Sequence, residues 1–225
     1  MALPYYVSPE QMMQDKAEYA KKGISRGRST VAMAYEDGIL LLADNASSLN
    51  KISEVYDKIA FAAAGKYSEF ENLRKAGIRH ADMKGYLYSR EDVTARSLAN
   101  AYSQTLGTVF SQEVKPLEVE IIVVELGETT EKNEIYRIQF DGSIHDESSF
   151  TVVGGKAEPL YEALKKRYTL TNLGDALTLC LASMEEGYQQ KVPPQNLEVA
   201  LLDRKRSGRH FRRLHLDELQ TYLSK

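Results

Sequence analysis

Between Ser29 and Asp44 the chain reads Ser-Thr-Val-Ala-Met-Ala-Tyr-Glu-Asp-Gly-Ile-Leu-Leu-Leu-Ala-Asp, two apolar runs around Glu36-Asp37-Gly38. Turn residues between β-branched or apolar runs predict a hairpin of strands Ser29–Tyr35 and Ile39–Asp44. A strand with one wet face alternates apolar with polar residues, whereas these two are apolar throughout. Both faces must therefore be covered.

The flanking segments supply the cover. Ser8-Pro9-Glu10-Gln11 reads as a helix start, with Ser8 as N-cap, Pro9 at the first helical position and Gln11 placed to close a capping box. That helix is expected to end at Gly23 after Lys21 and Lys22, with Met13, Ala17, Ala20 and Ile24 as its apolar stripe. A strand over Ile59–Ala64 is followed by helical patterns at about Tyr67–Arg79 and Glu91–Ser111. The second of these carries Val93, Leu98, Tyr102, Leu106 and Val109 on one face. Strands return at Val119–Glu125, Glu134–Phe140 and about Ser148–Val153, with turns at Asp141-Gly142-Ser143 and Gly154-Gly155. Helices at Glu158–Arg167 and Leu173–Gln189, a hairpin of Leu197–Asp203 with His210–Leu214, and a short helix from Asp217 complete the chain. Strands, two helices, strands, two helices, strands is the order of an α+β protein. Strands this apolar are buried by two packed sheets with helices outside both, a four-layer α-β-β-α sandwich.

Composition narrows the classes of function. At 225 residues without a Pro/Gly/Ser-rich linker, one domain is expected. A net charge of −3 gives no reason to expect nucleic acid or an anionic membrane as partner. The start Met-Ala-Leu-Pro-Tyr-Tyr-Val lacks the basic and long apolar regions of a signal peptide, and Cys180 is the only cysteine, so a cytoplasmic address is expected. Cys180 lies in Leu-Thr-Leu-Cys-Leu and reads as core. His80, His145, His210 and His215 show no metal-ligand spacing, and neither a metal nor a cofactor is expected. Arg204-Lys205-Arg206, Arg209 and Arg212-Arg213 straddle a hairpin with few aromatics and read as a solvated turn. Gly154-Gly155 lacks the pattern of a phosphate loop.

The Ser29–Asp44 run, the block Lys51-Ile-Ser-Glu-Val-Tyr-Asp-Lys-Ile and Gly65 together resemble the proteasome subunit family. Other blocks resemble the α-subunits of actinobacterial proteasomes: Ser8-Pro-Glu-Gln, Lys22-Gly-Ile, Gly65-Lys-Tyr-Ser-Glu-Phe-Glu-Asn-Leu-Arg74, Ser97-Leu-Ala-Asn-Ala-Tyr-Ser-Gln-Thr-Leu-Gly-Thr108, and Tyr136-Arg-Ile with Asp141-Gly-Ser-Ile. They span about Pro4 to Leu214. The resemblance implies the amino-terminal-nucleophile hydrolase fold, in which a carboxylate and an amine such as Asp44 and Lys51 flank a nucleophile on the chain's first residue. Counting back from Gly38 and Asp44 puts that position at Arg28, after Gly27, where no Gly-Thr bond exists to be cut. Trimming there would also discard a capped helix. No catalytic residue is therefore assigned.

The α resemblance implies a heptameric ring stacked on β-subunits, gating the opening to their proteolytic chamber in ATP-dependent degradation of unfolded proteins. Ala2, Leu3, Pro4, Tyr5, Tyr6, Val7 and Ser8 would form the gate tail, residues 9–23 the first helix, 29–214 the sandwich core and 215–225 the last helix and tail. Lys51, Gly65 and Lys66 match the pocket that receives the C-terminal tails of ring activators such as a hexameric ATPase, the lysine pairing the terminal carboxylate. Spacing alone would instead make Lys51 a surface lysine paired with Glu54. Asp44 is expected to cap the turn that follows it rather than to act in chemistry. The competing class is an active β-type amino-terminal-nucleophile threonine protease, which would lose its leading residues. A stand-alone binding domain would stay monomeric.

Overall fold

The structure, a computed structural model, describes residues 7–223. The first hairpin forms with β1 (Thr30–Tyr35) antiparallel to β2 (Gly38–Asp44) and Tyr35 opposite Gly38, so Glu36 and Asp37 alone make the turn. Every residue of both strands is buried. On the far side of β2 lies β9 (Leu197–Asp203), followed by β10 (Phe211–Leu214), and β8 (Phe150–Val153) pairs the free side of β1. This gives the sheet order β10-β9-β2-β1-β8. The second sheet takes its strands in chain order: β3 (Ile52–Tyr56), β4 (Ile59–Gly65), β5 (Val119–Glu125), β6 (Glu134–Ile138) and β7 (Ile144–Asp146). All pairings are antiparallel.

The period-2 alternation of strand side chains sorts the residues into layers. From β1 and β2, Val31, Met33, Tyr35, Leu40 and Leu42 point outward onto α4 (Ala157–Arg167), α5 (Leu173–Tyr188) and α6 (Leu216–Leu223). Their neighbours Ala32, Ile39, Leu41 and Ala43 face inward, against Ala60, Ala62, Ala64, Ile122 and Val124 of the second sheet. The other face of that sheet, with Ile59, Phe61, Ile121 and Val123, is covered by α2 (Tyr67–Leu87) and α3 (Ala95–Gln112). The result is the α-β-β-α sandwich. α1 (Pro9–Ser25) belongs to neither helical layer; it buries Ala20 and Ile24 beside Phe140 and touches α3 through Phe110, whose carbonyl accepts from Lys16 at 3.1 Å.

Several boundaries differ from expectation. α1 runs two residues past Gly23, and Met13 is exposed, so its stripe reduces to Ala17, Ala20 and Ile24. Ser8 Oγ does accept from the Gln11 amide at 3.2 Å, but the Gln11 side chain donates to Asp15 at 2.7 Å and leaves the capping box open. α2 continues eight residues beyond Arg79. α3 begins at Ala95, N-capped by Thr94, because Arg90–Asp92 forms a separate 3-10 turn capped by Ser89. β6 ends at Ile138 and β8 begins at Phe150, both shorter than expected, and β3 and β7 were not anticipated.

Candidate functional site

Asp44 closes β2 at 2% exposure. It does not cap the following turn. Asn45 does that, accepting from the Ser47 amide at 3.1 Å. The Asp44 carboxylate instead receives Arg28 Nη1 at 2.7 and 2.9 Å, from the segment that leads into β1. Lys51, just ahead of β3, closes the cluster: its Nζ donates to the carbonyl of Arg28 at 2.8 Å and to that of Asp44 at 3.0 Å. The Lys51–Glu54 pair that spacing alone would suggest is not formed, because Glu54 accepts from Arg209 at 2.7 Å.

Burial pushes the Lys51 amine down to about 8, with Asp44 and Glu198 opposing the shift and the Arg28 guanidinium adding to it. An ammonium has three N–H donors, and two of these are committed to carbonyls. The third is left for an incoming acceptor. The two carboxylates that act on Lys51, Asp44 and Glu198, are already paired with Arg28 and Arg213, so a further anion can approach Lys51 without meeting an uncompensated negative charge. The arrangement suits capture of a carboxylate. Nucleophilic chemistry has no comparable support at this place: Arg28 carries no hydroxyl, and its nitrogen is a peptide amide joined to Gly27 rather than a basic amine. The next hydroxyls, Ser29 and Thr30, are fully buried.

Gly65 ends β4 with φ +113°, and a Cβ there would lie 2.0 Å from the Glu118 carbonyl oxygen, so this backbone requires glycine. The same carbonyl accepts from the Lys66 amide at 2.9 Å. Lys66 holds the N-cap position just before α2, and its ammonium lies 3.3 Å from Glu69 in the first turn. Burial alone would raise the Glu69 carboxyl, but hydrogen bonds from Lys115 and the Glu118 amide bring it below the usual carboxylate range. Gly65 and Lys66 share a cleft of about 410 Å³ with Arg26, Gly27 and Glu118. Lys51 does not line it. The Gly27–Arg28 backbone stands between, with Gly27 against Gly65 and the Arg28 carbonyl holding Lys51.

Of the expected gate residues, Ser8 caps α1 and Val7 is 46% exposed, at the edge of a cleft of about 770 Å³ with Met12, Tyr19 and Val114. Ala2, Leu3, Pro4, Tyr5 and Tyr6 lie outside the described residues.

Three residues around Lys51 were missed in the sequence: Asn45, Glu198 and Arg213. Glu198 accepts from the Lys51 amide at 2.8 Å and from Arg213 at 2.7 Å. A lone carboxylate at the head of the apolar run Leu197–Asp203 was the available signal. The basic hairpin is likewise not merely solvated: Lys205 pairs Asp37, Arg209 pairs Glu54, Arg212 pairs Glu218, and Arg204 donates to the carbonyls of Gly127 and Glu36. Cys180 is fully buried in the helix-side core, where burial pushes its thiol up to about 12. Among the described residues no cluster of His, Cys, Asp and Glu could hold a metal ion, and no helix is long and apolar enough to cross a membrane.

A family model described as proteasome subunit matches residues 24–202. The proteasome subunit alpha of Thermobifida fusca is 53% identical over 227 residues, covering 99% of this chain and 91% of the relative. That of Thermomonospora curvata is 52% identical over 227 residues, covering 100% and 99%. That of Sanguibacter keddieii is 54% identical over 220 residues, covering 95% and 86%. With the two-sheet sandwich and end-to-end identity of this order, the chain belongs to the proteasome subunit family, on its α side.

Proposed function

We propose that this chain is a non-catalytic, cytoplasmic α-subunit, one domain over 1–225, whose heptameric ring stacks on β-subunits and gates their proteolytic chamber. Its outer face docks the C-terminal tails of a hexameric ATPase or other ring activators, which feed in unfolded protein at the expense of ATP. Lys51 pairs the terminal carboxylate while Gly65 and Lys66 form the facing wall. The observation that carries this reading is the cluster at the place of the missing nucleophile: Arg28 is tied to Asp44, and Lys51 keeps one N–H donor to spare. A charge-assisted contact of this kind contributes about 1.5–3 kcal/mol, and copies repeated round a ring gain by multivalency. Because Lys51 stands behind Arg28 in the single chain, the two walls of the pocket come from neighbouring subunits or meet when the tail enters.

The test is native mass spectrometry of the chain alone and with a cognate β-subunit, following peptidase activity in both. An intact chain, inactive alone and active only within a particle of four stacked rings, supports the α role; a trimmed chain with its own activity makes it a protease. In that particle, Lys51→Ala is expected to abolish ATPase-stimulated degradation and leave assembly and basal peptidase activity unchanged. Stimulation at normal strength would remove Lys51 from the pocket.

A further inference from the structure

Lys51 lies at the end of a seven-residue connection from β2 to β3, where the flanking loop gives little reason for a fixed ammonium. What fixes the backbone beneath it comes from the opposite end of the sequence. Glu198 sits near the start of β9, in the first sheet, and reaches across to the start of β3 in the second. One carboxylate oxygen accepts from the Lys51 amide at 2.8 Å and Asn45 Nδ2 at 2.7 Å. The other accepts from the Ile52 amide at 3.1 Å and Arg213 Nη1 at 2.7 Å. The second guanidinium nitrogen of Arg213 donates to the Ile52 carbonyl, so both polar groups of that residue's backbone are held. The Glu198 side chain is only 10% exposed. Asn45 extends the grip, donating to the Leu49 carbonyl at 2.8 Å.

We propose that Glu198 is a positioning residue for the Lys51 site: anchored on Arg213, it clamps the backbone on either side of Lys51 and sets where the ammonium presents its free donor. The inference rests on the reading of Lys51 as an anion-binding residue for its functional meaning, but the clamp can be measured without any activator. Four donors converge on one carboxylate, two of them consecutive backbone amides, which a carboxylate serving only as an ion-pair partner for Arg213 would not need. Replacing Glu198 by Gln turns one oxygen into a donor that must face two donors, so half the clamp opens at constant size.

The charged groups facing Lys51 are Arg28 ahead of β1, Asp44 on β2 and Glu198 on β9, with Arg213 of β10 behind Glu198. Removing a nearby negative charge by itself lowers a lysine's proton affinity, whereas releasing the lysine into water raises it. The two roles of Glu198 therefore predict opposite shifts. Trace acetylation with acetic anhydride across a pH series, read at the Lys51 peptide by mass spectrometry in the assembled particle, measures the titration directly. The native chain is expected to titrate near 8. E198Q is expected to move Lys51 upward towards the ordinary lysine range; a downward shift or none overturns the clamp.

In peptidase assays stimulated by the hexameric ATPase, E198Q is expected to raise the half-saturating ATPase concentration about tenfold, and to add nothing in the Lys51→Ala background. An equal further loss in that background would show Glu198 acting independently of Lys51 and overturn the proposal. If Lys51→Ala itself leaves stimulation intact, the docking reading falls while the acetylation profile still decides the clamp. Should E198Q fail to assemble, Asn45→Ala removes one donor from the same carboxylate and is expected to give a smaller upward shift; an unchanged profile would again overturn it.

Discussion

A lysine that titrates near 8 is a cation only on the acid side of that value, which gives the docking reading a pH signature. The ratio of stimulated to basal peptidase activity is expected to hold below neutrality and to fall as pH rises through about 8, a profile that Lys51→Arg should flatten because arginine does not titrate there. The linkage runs the other way for stability. Between about 8 and 10.5 the unfolded chain keeps a proton on Lys51 that the folded chain has released, so the stability contributed by this group rises with pH there. Arg28 matters for a different reason. Arg28→Ala leaves a carboxylate at 2% exposure without its guanidinium and frees it to capture the Lys51 ammonium. The expected result is a loss of about 1–3 kcal/mol in urea unfolding together with weakened stimulation, both partly restored by Arg28→Lys. Lys51 was singled out through its block of neighbours. Its partners were not: spacing suggests chain neighbours such as Glu54, whereas the carbonyl that holds it belongs to a residue 23 positions earlier.

The elements divide along the same line between local and distant information. Strands carried by continuous apolar runs were readable to the residue, as with Val119–Glu125 and Leu197–Asp203. The two that escaped, β3 and β7, are both edge strands; one is interrupted by Ser53 and Glu54, the other is three residues long with His145 and Asp146 exposed. They are strands because a neighbouring strand offers them hydrogen bonds. α2 outran its expected end for a related reason. Gly77 and Gly85 weaken a helix by propensity, but a Cβ at either would strike the hydroxyl of Tyr102 or Tyr56 at 1.7 or 2.2 Å, so both glycines serve packing rather than termination. Gly65 is the glycine the candidate site depends on. Gly65→Ala is expected to cost more than the roughly 1–3 kcal/mol of a strained backbone, because its Cβ also meets the Glu118 carbonyl. A large drop in thermal midpoint with loss of stimulated activity would bear this out; a neutral substitution would contradict it.

At the scale of the whole molecule, the four layers were legible because they follow from burying both faces of two sheets. The surfaces that would join one subunit to another were not. Met83, Tyr86, Leu87 and Tyr88, all exposed, gather at the end of α2 that the sequence had not extended so far. An exposed apolar group of this kind is characteristic of surfaces that meet a partner. The proposed gate would likewise be a property of the assembly, since a tail can obstruct an axis only in a ring. Removing residues 2–8 is expected to speed hydrolysis of a small fluorogenic peptide by the complex with β-subunits; an unchanged rate would take the tail out of the gate.

Strand order also sets a timetable. The second sheet pairs strands that follow one another along the chain, so its contacts close short loops, whereas β9 must find β2 across more than half the sequence. The first sheet is therefore expected to be completed last during folding. Glu198 arrives with β9, 147 residues after the Lys51 amide it holds. A nascent or C-terminally truncated subunit thus lacks the clamp, and a presented Lys51 becomes a certificate that folding has finished.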